Sequence, residues 1–326
     1  MIDQFGRRVE YLRISVTDKC NLRCVYCMPM EGLPWLKRDE LLSYEEIEQI
    51  VRTMAGMGLR RVRITGGEPL VRRDVPDLIR MISAVPEIDD LSLSTNAVLL
   101  ADHADELRAA GLDRINVSLD SLQEDRVDAI SRRPGSYGKI MEGLQAAEEA
   151  DFTPLKINVV LIRGQNDDEI EDFARITREK PWHIRFIELM PTGGNLDLSE
   201  NRYFSSSDAL KRISQLDDLE PVTGPAGNGP ARYYSFKDAP GTIGVITPMS
   251  HNYCDRCNRM RLTADGQLRP CLFGSLQTNL RDPLRAGEDL RPLIENTLQT
   301  KPERHYLIQG SDSGSGGLVA LSQTGG

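Results

Sequence analysis

Six short runs rich in Val, Ile and Leu, at 11–16, 61–65, 91–95, 114–119, 155–161 and 184–189, alternate with helical patterns through the first two thirds of the chain. Such alternation demands right-handed crossovers and a parallel sheet covered by helices. In the first connection Ser43 can cap a helix with Glu46 at capping-box spacing, and Ile47, Ile50, Val51, Met54 and Met57 then share one face before Gly58. Comparable patterns cover 75–85, 102–110, 137–150 and 168–179, the last preceded by Asp167, whose carboxylate with those of Asp168 and Glu169 suits the positive end of a helix dipole. Polar or glycine-rich residues follow most strands: Thr17-Asp18, Gly66-Gly67-Glu68, Asn96, Asp120-Ser121 and Met190-Pro191. They would gather ligands at the carboxyl edge of a curved barrel or an open doubly wound sheet. Six units fall short of the eight in a closed barrel, so the predicted fold class is α/β, a partial (βα)6 TIM-like barrel.

After residue 191 the alternation fades. A turn-rich loop at 224–230, strand patterns at 232–236 and 241–246 and a cysteine segment predict a barrel over 1–191 and a smaller C-terminal region over 192–326, with a flexible linker at 311–317. At 326 residues, 40% hydrophobic and 27% charged, the chain is too apolar to be wholly disordered. Its net charge of −9 argues against a general nucleic-acid or anionic-membrane binder, although a local basic pocket is compatible with it. No apolar run is long enough to span a bilayer and residues 1–8 lack a signal-peptide core, so the expected compartment is cytoplasmic.

Six cysteines in a chain expected to stay reduced point to metal or redox chemistry. Cys20, Cys24 and Cys27 lie in one loop directly after the first strand, with three and two residues between them. Three thiolates on a compact loop can hold one corner of a cluster and leave a metal vertex open. Soft thiolates suit iron–sulfur or zinc, but a structural zinc site closes with a fourth ligand, and no histidine is near in sequence. Cys254 and Cys257 form a second pair, joined by Cys271. Here His251 offers an equal alternative, a Cys3His zinc staple.

The first triplet, with Tyr26 before its last cysteine, resembles the radical S-adenosylmethionine superfamily, as does Gly66-Gly67-Glu68-Pro69 after the second strand. Leu12-Arg13-Ile14-Ser15-Val16-Thr17-Asp18, Arg63-Ile64-Thr65, Asn116-Val117-Ser118-Leu119-Asp120, Arg185-Phe186-Ile187-Glu188, the second triplet and the terminal Gly325-Gly326 extend the likeness to the GTP 3′,8-cyclase family of molybdenum-cofactor biosynthesis. The resemblance implies two [4Fe–4S] clusters, the second carried by the C-terminal region. It also implies an S-adenosylmethionine-derived radical that takes hydrogen from C3′ of GTP before C3′ joins C8, giving (8S)-3′,8-cyclo-7,8-dihydroguanosine 5′-triphosphate. It implies S-adenosylmethionine contacts at Tyr26, Gly67, Ser118 and Met190. GTP contacts are implied at Arg13, Arg63, Ser94, Lys156, Arg259, Met260 and Arg261, and cyclisation roles at Arg13, Arg259, Arg261, Gly325 and Gly326. Arginine suits such a substrate because its guanidinium binds phosphate oxygens as a fork. A homodimer and hand-over to the cyclic pyranopterin monophosphate synthase are implied as partners.

Two departures stand out. Ala97 occupies a place where the family usually has glycine, and it is expected to be denied easy left-handed backbone. The tail Ser322-Gln323-Thr324 replaces the family's Met and Ile before the glycine pair. Two other functions fit the bare residues: a radical S-adenosylmethionine peptide-modifying enzyme with an auxiliary cluster, and a non-catalytic nucleotide-binding protein stapled by zinc.

Overall fold

The structure is a computed structural model that describes residues 1–192, 198, 201–225, 227, 229–305 and 320–325. Strands β1 (Tyr11–Ser15), β2 (Arg61–Thr65), β3 (Asp90–Thr95), β4 (Arg114–Ser118), β5 (Lys156–Leu161) and β6 (His183–Glu188) lie side by side in chain order, each pair parallel. The connections carry α1 (Tyr44–Gly56), α2 (Val75–Ser83), α3 (Ala104–Ala109), α4 (Glu124–Ser131), α5 (Ser136–Glu149) and α6 (Ile170–Glu179). Every β-run and every helical pattern read from the sequence is present, and α4 is an addition. Only Val127, Ile130 and Ser131 of α4 are buried, too short an apolar stripe to stand out as a period. The α1 cap forms as predicted: Glu46 N–H donates to Ser43 Oγ at 3.2 Å and Ser43 N–H to Glu46 Oε2 at 2.7 Å.

The later chain continues the same sheet at both edges. It comprises α7 (Ser206–Ile213), β7 (Leu219–Val222), β8 (Arg232–Phe236), β9 (Thr242–Ile246), β10 (Arg259–Leu262), β11 (Gln267–Arg269) and β12 (Thr278–Asn279). These are followed by α8 (Arg281–Arg285), α9 (Arg291–Gln299) and α10 (Leu321–Thr324). β9 pairs parallel with β6 and β10 parallel with β1, while β8–β7 and β11–β12 add antiparallel margins. The result is a 12-stranded sheet with the six-unit partial barrel at its centre. Among the described residues no helix is long and apolar enough to cross a membrane.

Side chains alternate across each strand. One set, including Leu12, Ile14, Val62, Ile64, Leu93, Val117, Ile157, Val159 and Phe186, is buried under the helices as the core. The other set, facing the barrel interior, is mostly polar: Arg13, Arg63, Ser92, Ser94, Asn116, Ser118, Lys156, Asn158 and Arg185, with Tyr11, Val160 and Ile187 beside them. In a packed barrel this interior is filled by branched apolar side chains. Here it is built to receive a polar ligand.

The loop after β3 corrects one expectation. Ala97 does adopt left-handed backbone, at φ 62°. Its N–H donates to Thr95 Oγ1 at 3.0 Å, while the Glu68 carboxylate accepts from Thr95 Oγ1 at 2.8 Å and from Asn96 N–H at 2.7 Å. The conformation costs an alanine about 1–2 kcal/mol, which these bonds together offset.

Candidate functional site

The two cysteine triplets occupy opposite edges of the parallel sheet. Cys20, Cys24 and Cys27 follow the carboxyl end of β1, whereas Cys254 and Cys257 precede the amino end of β10. Cys271 follows β11, which runs antiparallel to β10 and so returns to that same amino edge. All six are free and half-buried.

At the carboxyl edge the Cys20 sulfur accepts from Leu22 N–H at 3.4 Å and Asn96 Nδ2 at 3.8 Å, and Ser322 N–H bonds Cys27. Such N–H···S donors suit an anionic iron–sulfur site. Burial pushes the Cys20 thiol up to about 11 and the Cys27 thiol up to about 12, and drives Cys24 well above its ordinary value, with buried carboxylates adding to it. Those carboxylates are Glu68, raised by burial to about 7, and Asp120, raised by burial to about 6. Asp120 Oδ2 accepts from Tyr26 Oη at 2.7 Å and its Oδ1 from Val160 N–H at 2.8 Å, so it ties the cysteine loop to β5. Gly67 lies flush on this loop: a Cβ there would sit 2.3 Å from Lys19 O. A side chain would therefore displace the loop segment that delivers Cys20. Ser118 ends β4, and Met190 follows β6 at the same edge.

At the amino edge Cys257 behaves differently. Burial raises its pKa, but Lys301 and Arg259 outweigh that and hold it below its ordinary value. Cys254 is pushed up by burial. His251 is exposed, its Nδ1 3.3 Å from Ser250 Oγ. Among the described residues, no three His, Cys, Asp or Glu side chains converge as a single-ion site would require. The exposure of His251 weighs against its closing a Cys3His zinc staple.

Between the edges, cations line the barrel. Arg13 sits in register with Arg261 on one side and Arg63 on the other. A cavity of about 170 Å³ is lined by Arg63, Arg114, Lys156, Arg185, Tyr233 and the β7–β8 connection. Burial first, then Arg114, Arg185 and Arg63, pushes Lys156 down to about 6. That shift disfavours the ammonium by on the order of 6 kcal/mol, so the pocket is poised for an anion that restores the charge. Burial likewise pushes Arg185 and Arg261 down to about 10. Arg63 Nε donates to Ser92 Oγ at 3.1 Å, and Arg259 lies 6.0 Å from the Tyr11 ring. Ser94 joins this inner face on β3, in register with Asn116.

The structure does not bring the Met260 side chain to the cavity. It is fully buried in the core beneath the helices, because strand alternation turns it away from Arg259 and Arg261. The tail, in contrast, enters the barrel: Ser322 and Thr324 are buried, and Arg261 Nη1 donates to Gly325 O. A Cβ at Gly325 would sit 2.7 Å from Thr65 Cγ2. Gly326 and the 311–317 linker lie outside the described residues. Arg185, Arg114 and Tyr233 were not singled out as site residues, though the polar alternation on β4 and β6 carries the signal for the first two.

A radical SAM superfamily model matches residues 14–176, and a Molybdenum Cofactor Synthesis C model matches 182–307. The GTP 3′,8-cyclase of Pelotomaculum thermopropionicum is 48% identical over 95% of this chain and 96% of its own length. That of Moorella thermoacetica is 46% identical over 100% of both chains. Among solved structures, Streptococcus suis SuiB bound to S-adenosylmethionine shares the fold, with a TM-score of 0.61 at 16% identity over 88% of this chain and 68% of that one. The chain belongs to the GTP 3′,8-cyclase family of the radical SAM superfamily.

Proposed function

We propose that the protein is a GTP 3′,8-cyclase, converting GTP to (8S)-3′,8-cyclo-7,8-dihydroguanosine 5′-triphosphate in molybdenum-cofactor biosynthesis. The observation that carries this reading is a cation-lined barrel interior with a thiol triplet at each edge. Cys20, Cys24 and Cys27 would hold one [4Fe–4S] cluster and Cys254, Cys257 and Cys271 another, a fit supported by the N–H donors aimed at Cys20, Cys27, Cys254 and Cys257. When bound, the first cluster and S-adenosylmethionine supply the radical that abstracts hydrogen from C3′ of GTP.

The chain's own residues would then do the following. Tyr26, Gly67, Ser118 and Met190 border S-adenosylmethionine at the carboxyl edge. Arg13, Arg63, Lys156, Arg259 and Arg261 bind GTP, with Ser94 as a neutral hydrogen-bond partner. We add Arg185 and Arg114 to the phosphate set, because they share the cavity with Lys156. Lys156 Nζ takes up a proton as phosphate oxygens arrive. The buried tail, with Gly325 against Arg261, closes the chamber against water. Met260 serves by holding its two arginine neighbours inward. A boundary at 191/192, a homodimer and product hand-over to a cyclic pyranopterin monophosphate synthase complete the proposal. The two family matches divide earlier, between residues 176 and 182, so the boundary rests on the fading of the βα alternation after residue 191 and the partners on family membership.

The test is anaerobic turnover after cluster reconstitution. S-adenosylmethionine cleavage should depend on GTP, fail with ATP, and yield one cyclised nucleotide per 5′-deoxyadenosine. Cleavage independent of nucleotide, with no cyclised product, would refute the assignment.

A further inference from the structure

The second triplet is assembled from the open end of a hairpin. Cys257 lies two residues before the β10 start at Arg259, and Cys271 follows the β11 end by two residues. One buried side chain spans that opening. Lys301, 2% exposed, donates from Nζ to Arg259 O at 2.8 Å and to Pro270 O at 2.6 Å, and its ammonium also bonds Cys257. Arg259 O and Pro270 O flank the segments bearing Cys257 and Cys271.

The neighbouring cation shows what is unusual here. Arg7 reaches the same place, donating to Cys254 O at 2.7 Å, Pro302 O at 2.7 Å and Glu303 O at 3.0 Å, but its charge is paired with Asp3 at 2.6 Å. Lys301 has no carboxylate within ion-pair distance among the described residues. Two neutral carbonyls satisfy donors; they do not neutralise a buried ammonium, whose desolvation is unfavourable. The anionic partner available to it is the thiolate set. Removing the ammonium would therefore loosen the hairpin end and also leave any cluster there without its nearest balancing charge.

We propose that Lys301 is a positioning residue for the second cysteine triplet, clamping the segments that carry Cys257 and Cys271 and balancing their negative charge. The proposal rests on the reading of that triplet as an iron–sulfur site.

The test compares the holoenzyme with Lys301→Met and Lys301→Gln, by anaerobic iron and sulfide content and by redox titration of both clusters followed by electron paramagnetic resonance. The first cluster, with its S-adenosylmethionine-dependent signal, reports on folding. Lys301→Met should lose about half the iron with the first-cluster signal intact. Lys301→Gln, which keeps a donor without the charge, should retain more iron while its second cluster titrates at a more negative potential. Full iron with an unshifted second-cluster potential in both variants would overturn the proposal. So would equal loss from both clusters, the mark of a general stability residue. Wild-type protein that takes up zinc without sulfide at Cys254, Cys257 and Cys271 would overturn the cluster reading first, and this proposal with it.

Discussion

The two ends of the barrel hold the same three-thiol device in opposite electrostatic surroundings. At the carboxyl edge the loop of Cys20, Cys24 and Cys27 is flanked by the buried carboxylates Glu68 and Asp120, and all three thiols are pushed up, by burial before anything else. At the amino edge Lys301 and Arg259 hold Cys257 down despite its burial. Negative surroundings disfavour an added electron and positive surroundings favour it. The carboxyl edge is thus suited to a strong reductant, as cleavage of a sulfonium demands. The amino edge is suited to holding charge while a substrate is bound.

The widest gap between the ends should appear when each triplet is broken separately. Cys24→Ala should take S-adenosylmethionine cleavage to background, whereas Cys257→Ala should retain some cleavage and lose the cyclised product, as read by chromatography of 5′-deoxyadenosine and nucleotide. Loss of cleavage in both would erase the functional distinction. Between the ends, Arg261→Ala removes a charged donor and should weaken GTP binding by about 10–150-fold in anaerobic equilibrium dialysis, as expected for roughly 1.5–3 kcal/mol. Unchanged affinity would remove Arg261 from the substrate chamber.

The strand limits and the helix-facing core were legible because β-runs and apolar periods are local signals. Arg13, Arg63 and Lys156 were legible as cations on strands, although a surface ion pair would leave the same trace in sequence. The register that sets Arg13 between Arg63 and Arg261 depends on β10 returning to pair with β1, some 250 residues away, and nothing local announces it. Lys301 was missed for the same reason: a single lysine near the end of the chain carries no spacing. Met260 was drawn in by its neighbours, and strand alternation turns it outward. Ala97 shows a tertiary network overriding a local preference.

Lys156 gives a pH test of the cation-lined middle. Its folded pKa of about 6 lies below the lysine value of 10.5, so the unfolded chain binds more protons between those limits and ligand-free stability rises with pH through that window. Bound phosphate restores the ammonium, so GTP binding near pH 8 should take up about one proton. Calorimetry in buffers of different ionisation heat should show this, and Lys156→Met should abolish it. The smallest expected effect lies beside the first triplet. Ala97→Gly relieves left-handed backbone at the loss of one buried methyl and should change stability by no more than about 1 kcal/mol, in the stabilising direction, in urea denaturation; a loss of stability would mean that the buried methyl outweighs the backbone relief.

The central claim, that two separate triplets each hold an iron–sulfur cluster, is tested most directly by anaerobic iron, sulfide and zinc quantitation on wild type, Cys24→Ala and Cys257→Ala. About eight irons per chain should fall to about four in either variant, with matching sulfide and no zinc. Zinc in place of iron at either site, or a single substitution that empties both, would contradict it.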